Sequence, residues 1–198
     1  RPPASVATET FPWAPPGDWR ACKLRMLWGT SAYVCSATLV APDRIATARH
    51  CTFASCLGGE ADLVYAECGY GYANTTLPWV QYAWLGSARV TACASYSSYD
   101  SNTLCLGGDE YADVEGDVQI CSLDRPVGLL AGWFRTSSSV PSNVQVRGYP
   151  ADRKLPTYYG NDILSRAMFH EFPVTSSTPE ALVLDGAWLW GGESGSGY

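Results

Sequence analysis

Three side chains of this sequence have the chemical types that nucleophilic catalysis by serine requires. A serine hydroxyl is a weak nucleophile at neutral pH, so it needs a base within hydrogen-bond reach. That base in turn needs an acceptor that fixes its tautomer and stabilises its charged form. Ser194, His50 and Asp117 can supply the nucleophile, the base and the acceptor. The sequence therefore predicts acyl transfer, if folding brings the three side chains together.

Glycines surround Ser194, at positions 191, 192 and 195. A tight turn there can point consecutive backbone N–H groups into one small volume, which would serve as an oxyanion hole. We expect the N–H groups of Gly192 and Ser194 to be the donors, and one such donor is typically worth about 2.7–4 kcal/mol of barrier. The alternative interpretation is that this glycine-rich stretch is a flexible polar tail.

His50 follows a pattern that predicts two short strands. Two apolar runs, at 37–41 and 45–48, flank a Pro42-Asp43 turn, and the histidine then lies at a strand end beside Cys51. A disulfide between Cys35 and Cys51 would close a loop worth about 3 kcal/mol on the chain-entropy model. Such a staple would hold a general base in place, although a buried structural histidine in a stapled hairpin fits the same residues.

Composition excludes several classes of partner. The chain has 198 residues, 46% of them apolar, which suits a packed core in one or two domains. Its net charge is −6 and its only lysines are Lys23 and Lys154, so no basic face is expected for nucleic acid or anionic membranes. No apolar run is long enough to span a bilayer.

Cysteine usage predicts an oxidising compartment. The eight cysteines contain no C-x-x-C pair and only two histidines accompany them, so we expect disulfides rather than a metal site, and no cofactor. Asn74 begins a glycosylation acceptor pattern, which is consistent with secretion. No leader precedes Arg1, so any signal peptide is expected to have been removed already.

The other cysteine pairings stay open at this point. Once Cys35 and Cys51 are paired, the remaining six cysteines allow 15 connectivities. Proximity in sequence favours two pairs, Cys56 with Cys68 and Cys93 with Cys105.

Strand patterns run through the whole chain after a proline-rich start. Residues 1–20 predict an extended arm, and 52–105 predict a loop-rich, cysteine-stapled β region. Residues 162–169 fit a short helix or a strand, with a strand favoured. The clearest strand patterns lie at 22–27, 33–40, 116–123, 143–148 and 181–184.

These motifs resemble those of the chymotrypsin-like (trypsin-fold) serine peptidases. The resemblance lies in CSATLV at 35–40, TARHC at 47–51, DVQICSLDRPVG at 117–128 and GESGS at 192–196. The order His, Asp, Ser is also the order of that family. GWF at 132–134 and VRGYP at 146–150 are closer in style to the glutamyl-endopeptidase branch than to trypsin.

The resemblance implies an all-β fold of two antiparallel six-stranded β-barrels with the site in the cleft between them. It places the first barrel at 21–125, with a Cys-rich insertion at 52–105, and a partial second barrel at 126–198. It also implies hydrolysis of peptide bonds through an acyl-enzyme, with a peptide or protein as substrate.

The sequence departs from the family at several positions. Gln119 and Arg49 each occupy a position where the family usually has a small residue, and Glu193 replaces the usual Asp or Asn. Trp188 stands where trypsin-like members carry a carboxylate, so cleavage after Lys or Arg is not supported. The cleaved residue type, the natural substrate and the oligomeric state stay open.

The family continues after the serine with strands that complete the second barrel, whereas this sequence stops at Tyr198. We considered a second polypeptide that supplies those strands, a remainder outside the sequence, and a truncated relative that works inside an assembly. The leading function hypothesis is accordingly a secreted serine endopeptidase. The alternatives are an inactive peptidase-like domain that acts as a binding or structural subunit of an extracellular assembly, and an esterase with the same triad.

Overall fold

The computed structural model describes residues 19–72, 81–83, 85–95, 116–135, 137, 139–149, 154–157, 160–163, 168–177 and 182–184. Nearly all of the predicted N-terminal arm lies outside these ranges, and so do Asn74 and the glycine-rich stretch around Ser194. The described elements are β-strands with a few single-turn helices, so the chain is all-β as predicted. None of those helices has the length and apolar character needed to cross a lipid bilayer.

Six antiparallel strands of the first half form a closed barrel. They are β1 (Ala21–Trp28), β2 (Ser31–Ala41), β3 (Arg44–Thr47), β6 (Leu63–Cys68), β9 (Ser87–Ser95) and β10 (Gln119–Leu123). Their order around the barrel is β1-β2-β3-β10-β9-β6. Because the barrel is closed, none of these strands leaves an unpaired edge for aggregation.

Alternating side chains explain why these segments become barrel strands. In β1, Cys22, Leu24 and Met26 are buried in the barrel core while Arg25 is exposed. Strands with this period of two bury one face and leave the other face for solvent or a neighbouring element. The same core takes Leu39 from β2 and Ile45 from β3, both completely buried.

Short turns join the first three strands of the barrel. Gly29, in the turn between β1 and β2, has a φ of 57°, a left-handed conformation that costs glycine little. Its backbone N–H donates to the Asp62 carboxylate at 2.6 Å, which ties this turn to the residue before β6. The predicted Pro42-Asp43 turn joins β2 to β3.

We expected residues 52–105 to be a Cys-rich insertion into the first barrel, but this region is more than an insertion. It contributes β6 and β9 to the barrel itself, because each of them pairs along its length with barrel neighbours. The described part of this region also contains two short two-stranded sheets. They are β4 (Phe53–Ala54) with β5 (Gly59–Glu60), and β7 (Tyr70–Tyr72) with β8 (Gln81–Ala83).

Two predicted cysteine pairings are wrong. Cys68 pairs with Cys22 rather than Cys56, and Cys93 pairs with Cys121 rather than Cys105. In both cases the two cysteines lie directly opposite each other on neighbouring antiparallel strands. Strand register, which brings distant residues to adjacent positions, therefore decided the pairing, and proximity in sequence did not.

The second half forms an open sheet rather than a closed barrel within the described residues. After a short helix at Gly128–Ala131, the strands are β11 (Asn143–Gly148), β12 (Lys154–Thr157), β13 (Gly160–Ile163), β14 (Met168–Ser177) and β15 (Leu182–Leu184). The sheet order is β11-β14-β15, and β12 and β13 form a separate hairpin. The second barrel is thus incomplete, as predicted, and strands rather than a helix occupy the described parts of 162–169.

Tyr149 connects the two halves. It follows β11, is 1% exposed, and packs with Ala21 of β1 and Tyr70 of β7. Its backbone N–H donates to the Ser36 hydroxyl of β2 at 2.8 Å. A residue of the second half therefore seats its ring and its backbone against the outside of the first barrel.

Candidate active site

His50 lies on a single 3-10 turn, Arg49–Cys51, that begins two residues after the end of β3. The turn has two backbone hydrogen bonds, from Cys51 N–H to the Ala48 carbonyl at 3.2 Å and from Thr52 N–H to the Arg49 carbonyl at 3.0 Å. Two hydrogen bonds hold so short a turn weakly. Its position must therefore be fixed by contacts outside it.

One such contact is the disulfide between Cys35 and Cys51, which the sequence analysis predicted. Cys35 belongs to β2 and is buried in the barrel core, and Cys51 is completely buried at the end of the turn. The residue after His50 is thus bonded covalently to the core. The two sulfur atoms lie within 4.8 Å of a His50 ring nitrogen. Because both are in the disulfide, they are not available as thiolate metal ligands.

Asp117 holds His50 at two points. Its Oδ2 lies 2.6 Å from the His50 Nδ1, and its Oδ1 accepts a hydrogen bond from the His50 backbone N–H at 2.9 Å. A carboxylate that accepts from both groups fixes the ring orientation and favours the tautomer with a proton on Nδ1. The Nε2 lone pair is then left to accept a proton from another group.

The pair is only partly buried. The His50 and Asp117 side chains are 17% and 14% exposed. A ring with this exposure can be approached from outside the barrel, and the carboxylate behind it is shielded enough for its hydrogen bonds to be stronger than on an open surface.

Asp117 reaches the histidine because of the strand that follows it. Asp117 lies two positions before Gln119, the first residue of β10. Gln119 is opposite Thr47, the last residue of β3, in the barrel register. The antiparallel pairing of β3 with β10 therefore brings the residues after β3 beside the residues before β10.

Gln119 is a part of this site that the sequence analysis noted only as a departure from the family. Its side chain is 2% exposed, and its Nε2 donates to the Ala48 carbonyl at 3.1 Å and to the Thr52 Oγ1 at 2.7 Å. The available signal was a polar residue at an inward-facing position, since Cys121 and Leu123 are buried on the same side of β10.

Arg49, the second departure, faces another neighbour. Its guanidinium lies 4.4 Å from the centre of the Phe53 ring, a cation–π arrangement, and it donates to the Ser95 hydroxyl at the end of β9. Arg49 thus links the histidine turn to β9, on the other side of β10.

The structure brings together His50, Asp117, Cys35 and Cys51 of the predicted site residues. Gly192 and Ser194 lie outside the described residues, as does the predicted glycosylation site Asn74. The structure therefore shows His50 and Asp117 in contact, and their catalytic roles and those of Gly192 and Ser194 stay predictions.

Solved structures that share this fold include serine proteases. The protease Anisep from Arthrobacter nicotinovorans matches 93% of this chain over 78% of its own, with a TM-score of 0.63 and 16% identity. A Glu endopeptidase matches 93% of this chain over 74% of its own, with a TM-score of 0.56 and 19% identity. Human heparin binding protein matches 94% over 78%, with a TM-score of 0.59 and 15% identity.

No protein-family model matches the sequence, and no curated protein matches it. At these identities the structural likeness shows the fold. The chymotrypsin-like resemblance of the motifs and the fold of the chain thus agree, and a Glu endopeptidase is among the structures that share this fold.

Proposed function

We propose that this protein is a secreted serine endopeptidase. The observation that carries the proposal is the double contact of Asp117 with His50, at Nδ1 and at the backbone N–H. The protease fold around that pair and a serine in a glycine-rich stretch of the sequence support it. Disulfides in the barrel agree with an oxidising, extracellular compartment.

The proposed reaction uses His50 first as a base and then as an acid. Nε2 takes the proton of the Ser194 hydroxyl while its oxygen attacks the carbonyl carbon of the scissile peptide bond. The oxyanion that forms is stabilised by the Gly192 and Ser194 N–H groups. The imidazolium, stabilised by Asp117, then protonates the leaving amine, and the acyl group stays on Ser194. Water, activated by His50, releases it.

A fluorophosphonate probe tests the proposal directly, because it reacts with a serine only when a base activates that serine. The wild-type chain should be labelled and Ser194→Ala should not. Ser196→Ala is the matched control, since it removes a serine two positions away in the same glycine-rich stretch and should leave labelling intact. A folded wild-type protein that never reacts with the probe would contradict the proposal.

Peptide and ester substrates assayed side by side separate the endopeptidase from an esterase. Both substrates should be cleaved, since acyl transfer to serine serves either leaving group. Cleavage of esters alone, with no peptide cut at any site, would favour the esterase. The same assay with a mixed peptide library would give the residue type that precedes the cut.

A binding or structural role is the second candidate, and one surface feature favours it. Leu129 and Leu130, on the short helix that follows the first barrel, are 67% and 74% exposed, and Trp133, two residues after that helix, is 41% exposed. Exposed apolar side chains that lie together often mark a contact with another protein. Human heparin binding protein shares this fold, and its name describes binding. The net charge of −6 on the present chain does not favour a polyanion as its partner.

A further inference from the structure

Gln119 contacts two residues that flank His50 in the sequence, one before it and one after it. Ala48 is the residue before the 3-10 turn that carries the histidine, and Thr52 is the residue after it. The Gln119 Nε2 donates to the backbone carbonyl of Ala48 and to the hydroxyl of Thr52. One buried amide group therefore joins the two ends of the turn.

The chemistry of Ala48 fixes which end of the amide faces the turn. A backbone carbonyl can only accept, so the NH₂ group and not the carbonyl oxygen of Gln119 must point at it. The Ala48 carbonyl also accepts from the Cys51 N–H, so both of its lone pairs are used. The Gln119 Oε1 is buried without a hydrogen-bond partner among the described residues. The NH₂ group of Gln119 therefore makes both hydrogen bonds to the turn.

We propose that Gln119 is a positioning residue that holds the His50 turn at a fixed place relative to Asp117. Asp117 and Gln119 belong to the same short segment, since Gln119 is the first residue of β10 and Asp117 lies two positions before it. Asp117 holds the middle of the turn through His50, and Gln119 holds its two ends. As far as catalysis is concerned, the inference rests on the proposed function.

This arrangement explains why a polar residue occupies a buried position. Burying an amide is costly unless its donors are used, and a small apolar residue would fit the core without that cost. The donors of Gln119 are used on the one turn whose geometry proton transfer depends on. Since a misplacement of about 1 Å in a catalytic group can cost about 100-fold in rate, support of this kind has a large effect on turnover.

The test replaces the donors without changing the volume of the side chain much. Gln119→Met keeps the length of the side chain and removes both hydrogen bonds, and Thr52→Val removes one of them. Thr38→Val is the matched control for the latter. Thr38 lies in the barrel strand β2 and is buried, with 5% exposure. Its Oγ1 has no hydrogen-bond partner in the described part of the chain.

Two readouts are needed, in the full chain. The first is hydrogen exchange of the His50 backbone N–H, followed by NMR together with the resonance of the His50 Nδ1 proton. We expect exchange about 10-fold faster in Gln119→Met, smaller changes in Thr52→Val and none in Thr38→Val. The second is turnover of a peptide substrate, where kcat should fall about 10- to 100-fold in Gln119→Met with KM within about twofold.

Unchanged exchange at His50 in both Gln119→Met and Thr52→Val would overturn the inference, as would an equal change in Thr38→Val. If Gln119→Met does not fold, the comparison of Thr52→Val with Thr38→Val decides. If the wild-type chain neither reacts with the probe nor cuts peptides, the proposed function fails. The exchange measurement still decides whether Gln119 positions the turn.

Discussion

At the scale of single residues, Asp117 makes two contacts with the same residue, His50. Its Oδ2 orients the imidazole, and its Oδ1 accepts from the backbone of the residue that carries that imidazole. One carboxylate thus holds both the ring and the backbone of His50. A change at Asp117 should therefore alter both the tautomer of His50 and the placement of its turn.

Asp117→Asn should reduce kcat/KM by about 10⁴-fold, because an amide that donates to Nδ1 favours the wrong tautomer of the imidazole. The protein should still fold, since an amide oxygen can keep accepting from the His50 N–H. Steady-state kinetics and a thermal melt check the two expectations. Asp124→Asn is a suitable control, since Asp124 also accepts from a backbone N–H, that of Arg89, and lies away from His50. A loss below 10-fold in Asp117→Asn would contradict the assigned role.

The sequence predicted part of this arrangement and missed another part. His50 and Asp117 could be paired because their residue types, order and flanking motifs agree with known chemistry. The contacts of Gln119 could not, since they depend on the register that places Gln119 opposite Thr47. Nothing in the residue types near Gln119 specifies that register. The departure from a small residue was visible in the sequence, but its partners were not.

At the scale of elements, the three described disulfides differ in what they join. Cys22–Cys68 and Cys93–Cys121 connect residues that are already opposite each other in the sheet. Cys35–Cys51 instead connects β2 to the turn that carries His50. The first two reinforce strand pairs, whereas the third fixes an element that has few hydrogen bonds of its own.

Removing Cys35–Cys51 or Cys93–Cys121 should lower stability by similar amounts but lower activity by different amounts. On the chain-entropy model, the loops of 16 and 28 residues predict losses of about 3 and about 3.6 kcal/mol for Cys35→Ala/Cys51→Ala and Cys93→Ala/Cys121→Ala. The two losses of unfolding free energy are thus similar. We expect kcat, measured where both variants are folded, to fall at least 10-fold more in the first. Denaturant titration and kinetics check this, and equal kcat values would contradict it.

The disulfide pairings depend on which strands are neighbours in the barrel. The strands at 22–27, 33–40 and 143–148 were predicted from alternation, and β1, β2 and β11 include them. Which strands become neighbours around the barrel is a non-local property, and alternation does not encode it. The predicted pairs Cys56–Cys68 and Cys93–Cys105 were wrong for that reason.

At the scale of the whole molecule, the first barrel and the second half meet at Tyr149. Its hydroxyl is within hydrogen-bond reach of the backbone carbonyls of Tyr70 and Ala21, at 3.3 and 3.4 Å. Burial of the ring raises the pKa of Tyr149 above the usual tyrosine range. The folded protein therefore keeps this phenol neutral at a pH where an unfolded chain would ionise it.

This difference predicts a loss of stability in alkali. Below about pH 10 both states keep the proton, and Tyr149 adds no pH dependence. Above it the unfolded state releases the proton while the folded state retains it, so the free energy of unfolding falls by about 1.4 kcal/mol per pH unit from this group. Tyr149→Phe should cost about 1 kcal/mol at neutral pH and should flatten the alkaline slope. Denaturant titrations from pH 8 to pH 11 check both, and identical slopes would count against the assignment.

The place of β10 in the barrel has a consequence for biosynthesis. β10 comes last in sequence among the six barrel strands, yet it lies between β3 and β9. A nascent chain that has emerged from the ribosome only as far as Gly116 has an open barrel, and it lacks the Asp117 carboxylate and the Gln119 amide that hold the His50 turn. Closure of the barrel and formation of the His50–Asp117 contact therefore depend on the same late segment of the polypeptide.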